Sequence, residues 1–191
     1  EQLAVALKKL GVPAFLGGGA RGLLGTNCPY HARHNRRQAL QSADLIILAG
    51  VTADFRLNYG RSLPKRSRMI AVNRSLDDLR LNSNIFWRKP ALSLVADPSD
   101  FVRALAELVQ GLAWENWRSE LCQTDKERDD AISAKAKLDA LGNDDEKSLL
   151  VNPIDLLLQV DEVIANDAVI IGDGGDFVAT AANILRPRGP L

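Results

Sequence analysis

Apolar residues follow two different periods along this chain, and the two alternate. Unbroken apolar runs are typical of strands buried on both faces of a parallel sheet. Such runs follow Asp44 in the predicted strand 44–50 and fill residues 69–72 and 168–172. Further strands are predicted at residues 12–16 and at 91–95, where Ser93 is polar. An apolar residue at every third or fourth position is typical of an amphipathic helix. This pattern occupies residues 1–10 and 98–108, and helices are also predicted at 34–42 and 53–61. The alternation predicts an α/β fold, a doubly wound parallel sheet of the nucleotide-binding kind.

Two helix starts carry explicit signals. Asp97 precedes Pro98, and Asn152 precedes Pro153. An Asp or Asn side chain can accept hydrogen bonds from the free amides of the first turn, and proline is well tolerated at the first helical position. We therefore expect helices to begin at residues 98 and 153.

Composition changes along the chain and predicts three parts. Residues 1–112 are predicted to form a doubly wound α/β domain. Residues 113–150 carry the charge run 125–130, which predicts a solvated linker helix followed by a hinge at 142–146. Residues 151–191 begin a second α/β domain with its first βα unit. Because this domain is only begun, we expect the chain to be a segment of a longer protein.

The overall charge excludes some functions and favours none. The chain has 191 residues, 46% of them hydrophobic, with 24 Lys and Arg against 24 Asp and Glu. A balanced charge gives no electrostatic reason to expect a nucleic-acid partner. No apolar run is long enough to predict a membrane span, and the two cysteines, Cys28 and Cys122, form no CxxC pair.

The run that ends at Gly172 leads into the turn Asp173-Gly174-Gly175-Asp176, and a helical pattern follows. A strand that delivers a glycine turn to a helix N-terminus brings backbone amides together with no side chains in the way. Such a turn suits a phosphate or a diphosphate.

Three loops are expected at the carboxyl edge of the sheet, where doubly wound folds bind ligands. They are residues 17–25, 50–55 and 73–75. The first has five glycines around Arg21 but matches neither GxGxxG nor a Walker A motif, so a plain crossover loop is an equal interpretation. A basic cluster follows at residues 31–37 and could receive nucleotide phosphates or be solvated. Its two histidines have no Cys or carboxylate at ligand spacing, which argues against a metal site.

Several short motifs occur in a characteristic order. They are Gly11-Val12-Pro13, the loop 19–25, the run 43–50, Asp54-Phe55-Arg56-Leu57, Val72-Asn73-Arg74, Asn82-Ser83, Ile85-Phe86-Trp87 and Gly174-Gly175-Asp176-Phe177-Val178. Together they resemble the central domain, and the start of the C-terminal domain, of thiamine-diphosphate-dependent enzymes. The nearest branch contains the acetolactate synthases and the 2-hydroxyacyl-CoA lyases.

The resemblance implies that residues 1–112 are the central, nucleotide-binding-like domain without its first strand. It also implies a cofactor site that this chain supplies only in part. In such enzymes thiamine diphosphate and Mg²⁺ lie between domains of two subunits. Gly174, Gly175 and Asp176 would contact the diphosphate end of the cofactor. The activating glutamate and the metal-binding motif belong to regions outside this chain, so no catalytic residue and no metal ligand is expected here. Gly172-Asp173-Gly174 imitates the metal motif without being it.

The central domain of related enzymes binds FAD, ADP, the nucleotide part of CoA, or nothing. The resemblance leaves these alternatives open. Asn73 stands where an acid would hydrogen-bond a ribose, which argues against FAD. Phosphates of CoA or of another nucleotide would be received by Arg21, Gly22, Arg56 and Arg74.

The activity implied is carbon–carbon cleavage of a 2-hydroxyacyl-CoA to an aldehyde and formyl-CoA. Two-carbon transfer of the acetolactate type is one alternative, and a non-catalytic nucleotide-binding regulatory module is another. The resemblance further implies a CoA-ester substrate, a dimer or tetramer, and no nucleic-acid partner. It also implies the endoplasmic reticulum membrane, reached through an anchor outside this chain.

Overall fold

A computed structural model describes residues 2–26, 28–83, 85, 89–109, 114–141 and 151–189, with only the backbone of 138–141 and 176. The chain divides into two compact units. The sheet unit consists of Glu1–Val12 and Asn35–Trp114, and the helical unit of Pro13–His34 and Glu115–Leu191. The sequence-based domain boundaries at 112 and 150 lie outside the described residues and stay a prediction.

The sheet unit is built on three parallel strands, and this confirms the predicted α/β class. They are β1 (Leu45–Ala49), β2 (Arg68–Asn73) and β3 (Leu92–Val95), in the spatial order β1-β2-β3. Leu45 lies opposite Arg68, and Ile70 lies opposite Leu92. Each strand overlaps a predicted strand. The central strand β2 is apolar and largely buried, whereas β3 at the end of this sheet is exposed, with Leu92 at 43% and Val95 at 58%.

Four helices accompany these strands. They are α1 (Gln2–Leu10), α2 (Arg36–Ser42), α3 (Leu76–Ser83) and α4 (Pro98–Leu108). Leu10 of α1 packs with Val102 and Ala106 of α4 in one apolar cluster. Asp97 caps α4 by accepting hydrogen bonds from the amides of Ser99 and Asp100, as its place before Pro98 predicted.

Buried Asn82 fixes the loop that follows β1. Its side-chain oxygen accepts a hydrogen bond from the amide of Ala53 at 2.7 Å. Its side-chain nitrogen donates one to the carbonyl of Val51 at 2.8 Å. A buried amide needs such partners, and here α3 uses one side chain to satisfy two backbone groups of the loop.

The helical unit contains three helices and the glycine-rich segment. The helices are α5 (Glu115–Leu141), α6 (Pro153–Val163) and α7 (Asp176–Ile184). Helix α6 packs against both α5 and α7. Asn152 caps α6 as predicted, accepting hydrogen bonds from the amides of Ile154 and Asp155.

Three elements differ from the sequence-based expectation. Residues 12–16 form only one bridge, Ala14 to His31, and residues 168–172 form no strand. In the latter run Val169 is 65% exposed and Ile171 is 90% exposed. A strand is stable only beside others, and the described part of the chain places no strand next to this run. The expected helix at 53–61 is a kinked pair of tight turns, because Asn58 and Tyr59 take positive φ. The expected hinge at 142–146 lies outside the described residues.

Candidate functional site

The turn before α7 presents backbone amides without a side-chain cap. Gly175 immediately precedes the helix with φ 97°, a conformation that favours glycine, and no side chain accepts a hydrogen bond at this cap. A Cβ built on Gly174 or on Gly175 would meet no heavy atom within 4 Å. The amides of the first helical turn are therefore open, and they suit an anion.

One carboxylate already contacts this turn. The side chain of Asp173 accepts a hydrogen bond from the amide of Gly174 at 2.7 Å. An incoming diphosphate would have to displace it, because both groups are negative and compete for the same donor. Asp176 is the first residue of α7, so its backbone amide belongs to this set. The backbone amides of Gly174, Gly175 and Asp176 all belong to this turn, and their contact with a diphosphate stays a prediction.

Arg21 lies at the opposite end of α7. Its guanidinium donates a hydrogen bond to the carbonyl of Ala182, in the last turn of the helix. Burial lowers the pKa of Arg21, and the charge of Arg33 lowers it further. With nine residues α7 is about 13 Å long. Arg21 therefore stabilises a helix C-terminus, which carries partial negative charge, and does not meet the diphosphate turn.

Gly22 allows another part of the helical unit to approach closely. A Cβ at Gly22 would overlap the backbone carbonyl of Gly189. The loop 17–25 was expected at the carboxyl edge of the sheet, and this placement stays a prediction. The segment itself belongs to the helical unit, in which Arg21 and Gly22 contact residues near the end of the described chain.

Arg56 and Arg74 follow the first two strands of the sheet unit. Arg56 lies in the loop after β1 and pairs with Asp54, with 2.6 Å between its Nη2 and Oδ2 of Asp54. Arg74 directly follows β2 and pairs with Asp97, the residue that caps α4 after β3. Both residues follow the carboxyl ends of parallel strands, and their binding of phosphate stays a prediction.

These two ion pairs are exposed and can open. Hydrogen bonds from Arg56 lower the pKa of Asp54 to about 2. The hydrogen bond from Arg74 likewise lowers the pKa of Asp97. The Arg74 side chain is 75% exposed, and exposed pairs contribute only about 0–1 kcal/mol. A phosphate could therefore replace either carboxylate at low cost.

The side chain of Asn73 bonds to the backbone of its own loop. It is buried, and its side-chain oxygen accepts a hydrogen bond from the amide of Ser75 at 3.1 Å. The residue at the end of β2 thus stabilises its own turn. It carries no charge with which to bind a ribose in the way an acid would.

Sequence reasoning missed a polar cluster in the helical unit. The Arg33 guanidinium contacts the Asp129 carboxylate at 2.9 Å. The backbone amide of His34 donates to Asp125 at 2.8 Å, and Nε2 of His34 lies 2.8 Å from Asp129. The charge run on α5 was expected to be solvated, and the basic cluster was considered for phosphates. Instead part of each pairs with the other, a match that their opposite signs in a neutral chain could have indicated.

Burial and hydrogen bonding act in opposite directions on Asp129. Burial raises its pKa, while the hydrogen bond with His34 and the charge of Arg33 lower it more. Its pKa therefore lies below the ordinary value, and the carboxylate is charged at neutral pH. The cluster therefore connects the glycine-rich segment to α5 through ion pairs and hydrogen bonds.

A buried carboxylate holds the end of the described chain. Asp161 of α6 accepts hydrogen bonds from the backbone amide and the side chain of Arg186, at 2.7 and 2.8 Å. Arg188 reaches the same carboxylate at 3.2 Å. The Asp161 side chain is only 3% exposed, so its negative charge has little contact with water and must be compensated by the positive charges of these arginines.

The described residues offer neither a metal site nor a membrane-spanning helix. They contain no group of three or more His, Cys, Asp or Glu side chains arranged to hold a metal ion. None of the helices described is long and apolar enough to cross a membrane.

Comparison with known proteins shows similarity along the whole chain. No family model matches. The chain is 46% identical over 192 residues to the 2-hydroxyacyl-CoA lyase 2 of Danio rerio, matching all of this chain and 30% of that protein. It is 44% identical to the human protein of the same name, again along the whole chain and 29% of the relative. It is 25% identical over 180 residues to the acetolactate synthase large subunit IlvG of Mycobacterium tuberculosis, covering 91% of this chain and 29% of the relative.

We predict that Gly22→Ala destabilises the protein and that Gly17→Ala does not. A methyl group at position 22 meets the Gly189 carbonyl, whereas one at position 17 meets nothing within 4 Å. Overpacking of this kind costs about 1–3 kcal/mol. Urea denaturation of both variants measures the difference, with Gly17→Ala as control in the same loop. Equal stability of the two variants would contradict the contact.

We also predict that the Asp54 carboxyl titrates with a midpoint near 2, as its hydrogen bonds from Arg56 require. Because the folded pKa is lowered, the stability that the pair adds is present above about pH 4 and is lost as the pH falls toward 2. NMR titration of the carboxyl carbon measures the midpoint. Arg56→Gln should raise it toward the ordinary value, and Arg80→Gln, which removes the exposed partner of Asp77, should leave it unchanged.

Proposed function

Because the chain belongs to the thiamine-diphosphate-dependent family that includes 2-hydroxyacyl-CoA lyase 2 and, more distantly, acetolactate synthase, we propose that it is part of a lyase acting on 2-hydroxyacyl-CoA. The reaction proposed breaks the bond between the carbonyl carbon of the thioester and carbon 2, and it gives a shortened aldehyde and formyl-CoA. The identity of 46% along the whole chain is the observation that carries this proposal. The chain spans about 30% of the length of that relative, so the rest of the enzyme must supply other groups.

The turn before α7 is the part of the cofactor site that we assign to this chain. The amides of Gly174, Gly175 and Asp176 would hold the diphosphate of thiamine diphosphate, with the positive end of the helix dipole behind them. The bound cofactor would supply a place for the electron pair released when the carbon–carbon bond breaks. The chain contributes binding and orientation there. We assign it no Mg²⁺ ligand and no acid or base.

The carboxyl edge of the sheet is the place that we assign to the CoA phosphates. The exposed side chains of Arg56 and Arg74 lie there and pair with the half-buried carboxylates of Asp54 and Asp97. A phosphate carries more charge than a carboxylate and can take two hydrogen bonds from one guanidinium. Arg21 and Gly22 stay predictions for such a site, with their present contacts to the backbone of residues 182 and 189.

Two alternatives have some support. The similarity to acetolactate synthase favours two-carbon transfer as the second candidate, although at 25% identity it is the more distant one. The parallel sheet alone would also suit a nucleotide-binding regulatory module. We further propose a dimer or tetramer, and attachment to the endoplasmic reticulum membrane by a segment outside this chain.

We predict that the full-length protein releases aldehyde and formyl-CoA from a 2-hydroxyacyl-CoA when thiamine diphosphate and Mg²⁺ are both present. Chromatography measures both products, and the same preparation is offered pyruvate to test for acetolactate. Removal of the metal with EDTA should stop release, and re-addition should restore it. Residues 1–191 alone should give no turnover, because the groups that stabilise charge in the reaction lie elsewhere.

The results separate the candidates. Acetolactate from pyruvate with no aldehyde from the CoA ester would favour the synthase. Neither product, together with binding of ADP, NAD or CoA in equilibrium dialysis, would favour the regulatory module. Cofactor-independent turnover would contradict the family assignment of the activity.

We predict that Arg56→Ala and Arg74→Ala each raise KM for the CoA ester about tenfold with little change in kcat. Each variant removes one charge-assisted contact, worth roughly 1.5–3 kcal/mol, from a group remote from the reacting carbon. Arg80→Ala is the matched control, because Arg80 is an exposed arginine of the same unit that pairs with Asp77. A KM unchanged in both variants would remove this edge of the sheet from the CoA site.

A further inference from the structure

Two cysteines that are distant in the sequence come close together in the helical unit. The segment after Cys28 runs along one face of α5. The guanidinium of Arg118 lies 4.7 Å from the centre of the Tyr30 ring. The thiol of Cys122 donates a hydrogen bond to the carbonyl of Pro29 at 3.2 Å.

The register continues through the next turns of the helix. The backbone amide of Arg33 donates to Asp125 at 2.6 Å, and its guanidinium reaches Asp129. Residues 118, 122, 125 and 129 are spaced by three or four, so they share one face of the helix. Contacts on both sides of Cys122 therefore hold the segment in place against that face.

Cys28 directly precedes Pro29 in the chain, the residue whose carbonyl the Cys122 thiol contacts. Consecutive Cα atoms are about 3.8 Å apart, and a disulfide requires Cα atoms about 4.4–6.8 Å apart. Both thiols are free and half-buried. Burial raises the pKa of the Cys122 thiol, and the nearby groups Asp125 and Cys28 raise it further against the effect of Arg118. The electrostatic effect of Cys28 agrees with the short separation that the Pro29 contact implies.

We propose that Cys28 and Cys122 are a modification site, where a low-molecular-weight disulfide such as oxidised glutathione converts them to an intramolecular disulfide. The bond would join the segment Pro13–His34, which carries the glycine loop and Arg21, to residue 122 of α5. The proposal rests on the helical unit alone and does not depend on the activity proposed above.

The exchange takes two steps. The Cys28 thiolate attacks one sulfur of the small disulfide, which forms a mixed disulfide and releases one small thiolate. Cys122 then loses its proton to water and attacks the sulfur of Cys28, which releases the second thiolate. Two protein thiols are oxidised, one small disulfide is reduced to two thiols, and the two protons given up by the protein are taken up by the leaving groups. We assign the first attack to Cys28 because the raised pKa of Cys122 keeps it a thiol at neutral pH.

The test is peptide mapping of the folded, full-length protein after treatment with oxidised glutathione. Remaining thiols are alkylated, and trypsin then releases Cys28 in the peptide 22–33 and Cys122 in the peptide 119–126. Mass spectrometry should find the two peptides joined, two hydrogens lighter than their sum. Reduction should separate them, and non-reducing electrophoresis should show a monomeric chain.

Two variants control for chance collisions. Cys28→Ser should leave Cys122 largely unmodified, because the first attack is lost. Combining Cys122→Ser with Gln123→Cys moves the thiol about 100° around α5, away from the contact face. The joined peptides should then fall roughly tenfold or more, because effective concentration depends on geometry.

The result that overturns the proposal is recovery of both peptides only as separate glutathione adducts, or only in cross-links between molecules. Equal cross-linking by Gln123→Cys overturns it as well, since proximity on the contact face would then not matter. Circular dichroism of each variant confirms that the comparison is made between folded proteins.

Discussion

The pairing of β2 with a parallel neighbour on each side is the constraint on which the sheet unit depends. Met69, Ala71 and Val72 are almost completely buried, so the backbone groups of this strand have no water to bond. They are satisfied by β1 on one side and β3 on the other, together with the residues that flank these two strands. This register fixes where each strand ends, and with it the positions of the loops that carry Arg56 and Arg74. The candidate phosphate site is thus a consequence of backbone pairing in the core.

The helical unit depends on charge instead. A chain segment without regular strands, residues 13–34, is attached to α5 and α7 by arginine, histidine and aspartate side chains. Asp161 performs the same task for the end of the described chain. The Asp161 carboxylate is buried and would be costly to leave unpaired. Together these charged contacts specify one arrangement of an otherwise irregular segment, and that arrangement also brings the two cysteines together.

The contrast between buried and exposed ion pairs separates structural from available arginines. Arg186 pairs with Asp161, whose side chain is only 3% exposed, so a ligand would have to overcome a large penalty to recruit this arginine. The side chains of Arg56 and Arg74 are themselves 52% and 75% exposed, and exposed ion pairs contribute little to stability. These three arginines look alike in the sequence. Only the burial of each ion pair distinguishes them.

The sequence by itself determined the elements whose signals are local. The apolar runs of β1, β2 and β3 and the caps at Asp97 and Asn152 depend on neighbouring residues, and the structure confirms them. The family is also visible in the sequence, because its short motifs are local and occur in a characteristic order. The glycine turn before α7 is local as well, since it consists of neighbouring glycines followed by the start of a helix.

Only the tertiary structure decided the contacts between distant residues. The partners of Arg21, Gly22 and Arg33 lie about 100 to 170 positions away, and nothing in a linear pattern names them. The run 168–172 has the composition of a strand, yet a strand is made by the neighbour it pairs with. A local structural preference depends only on neighbouring residues. A long-range contact requires the intervening chain to bring distant residues together, at a cost in conformational entropy, so it depends on the whole fold.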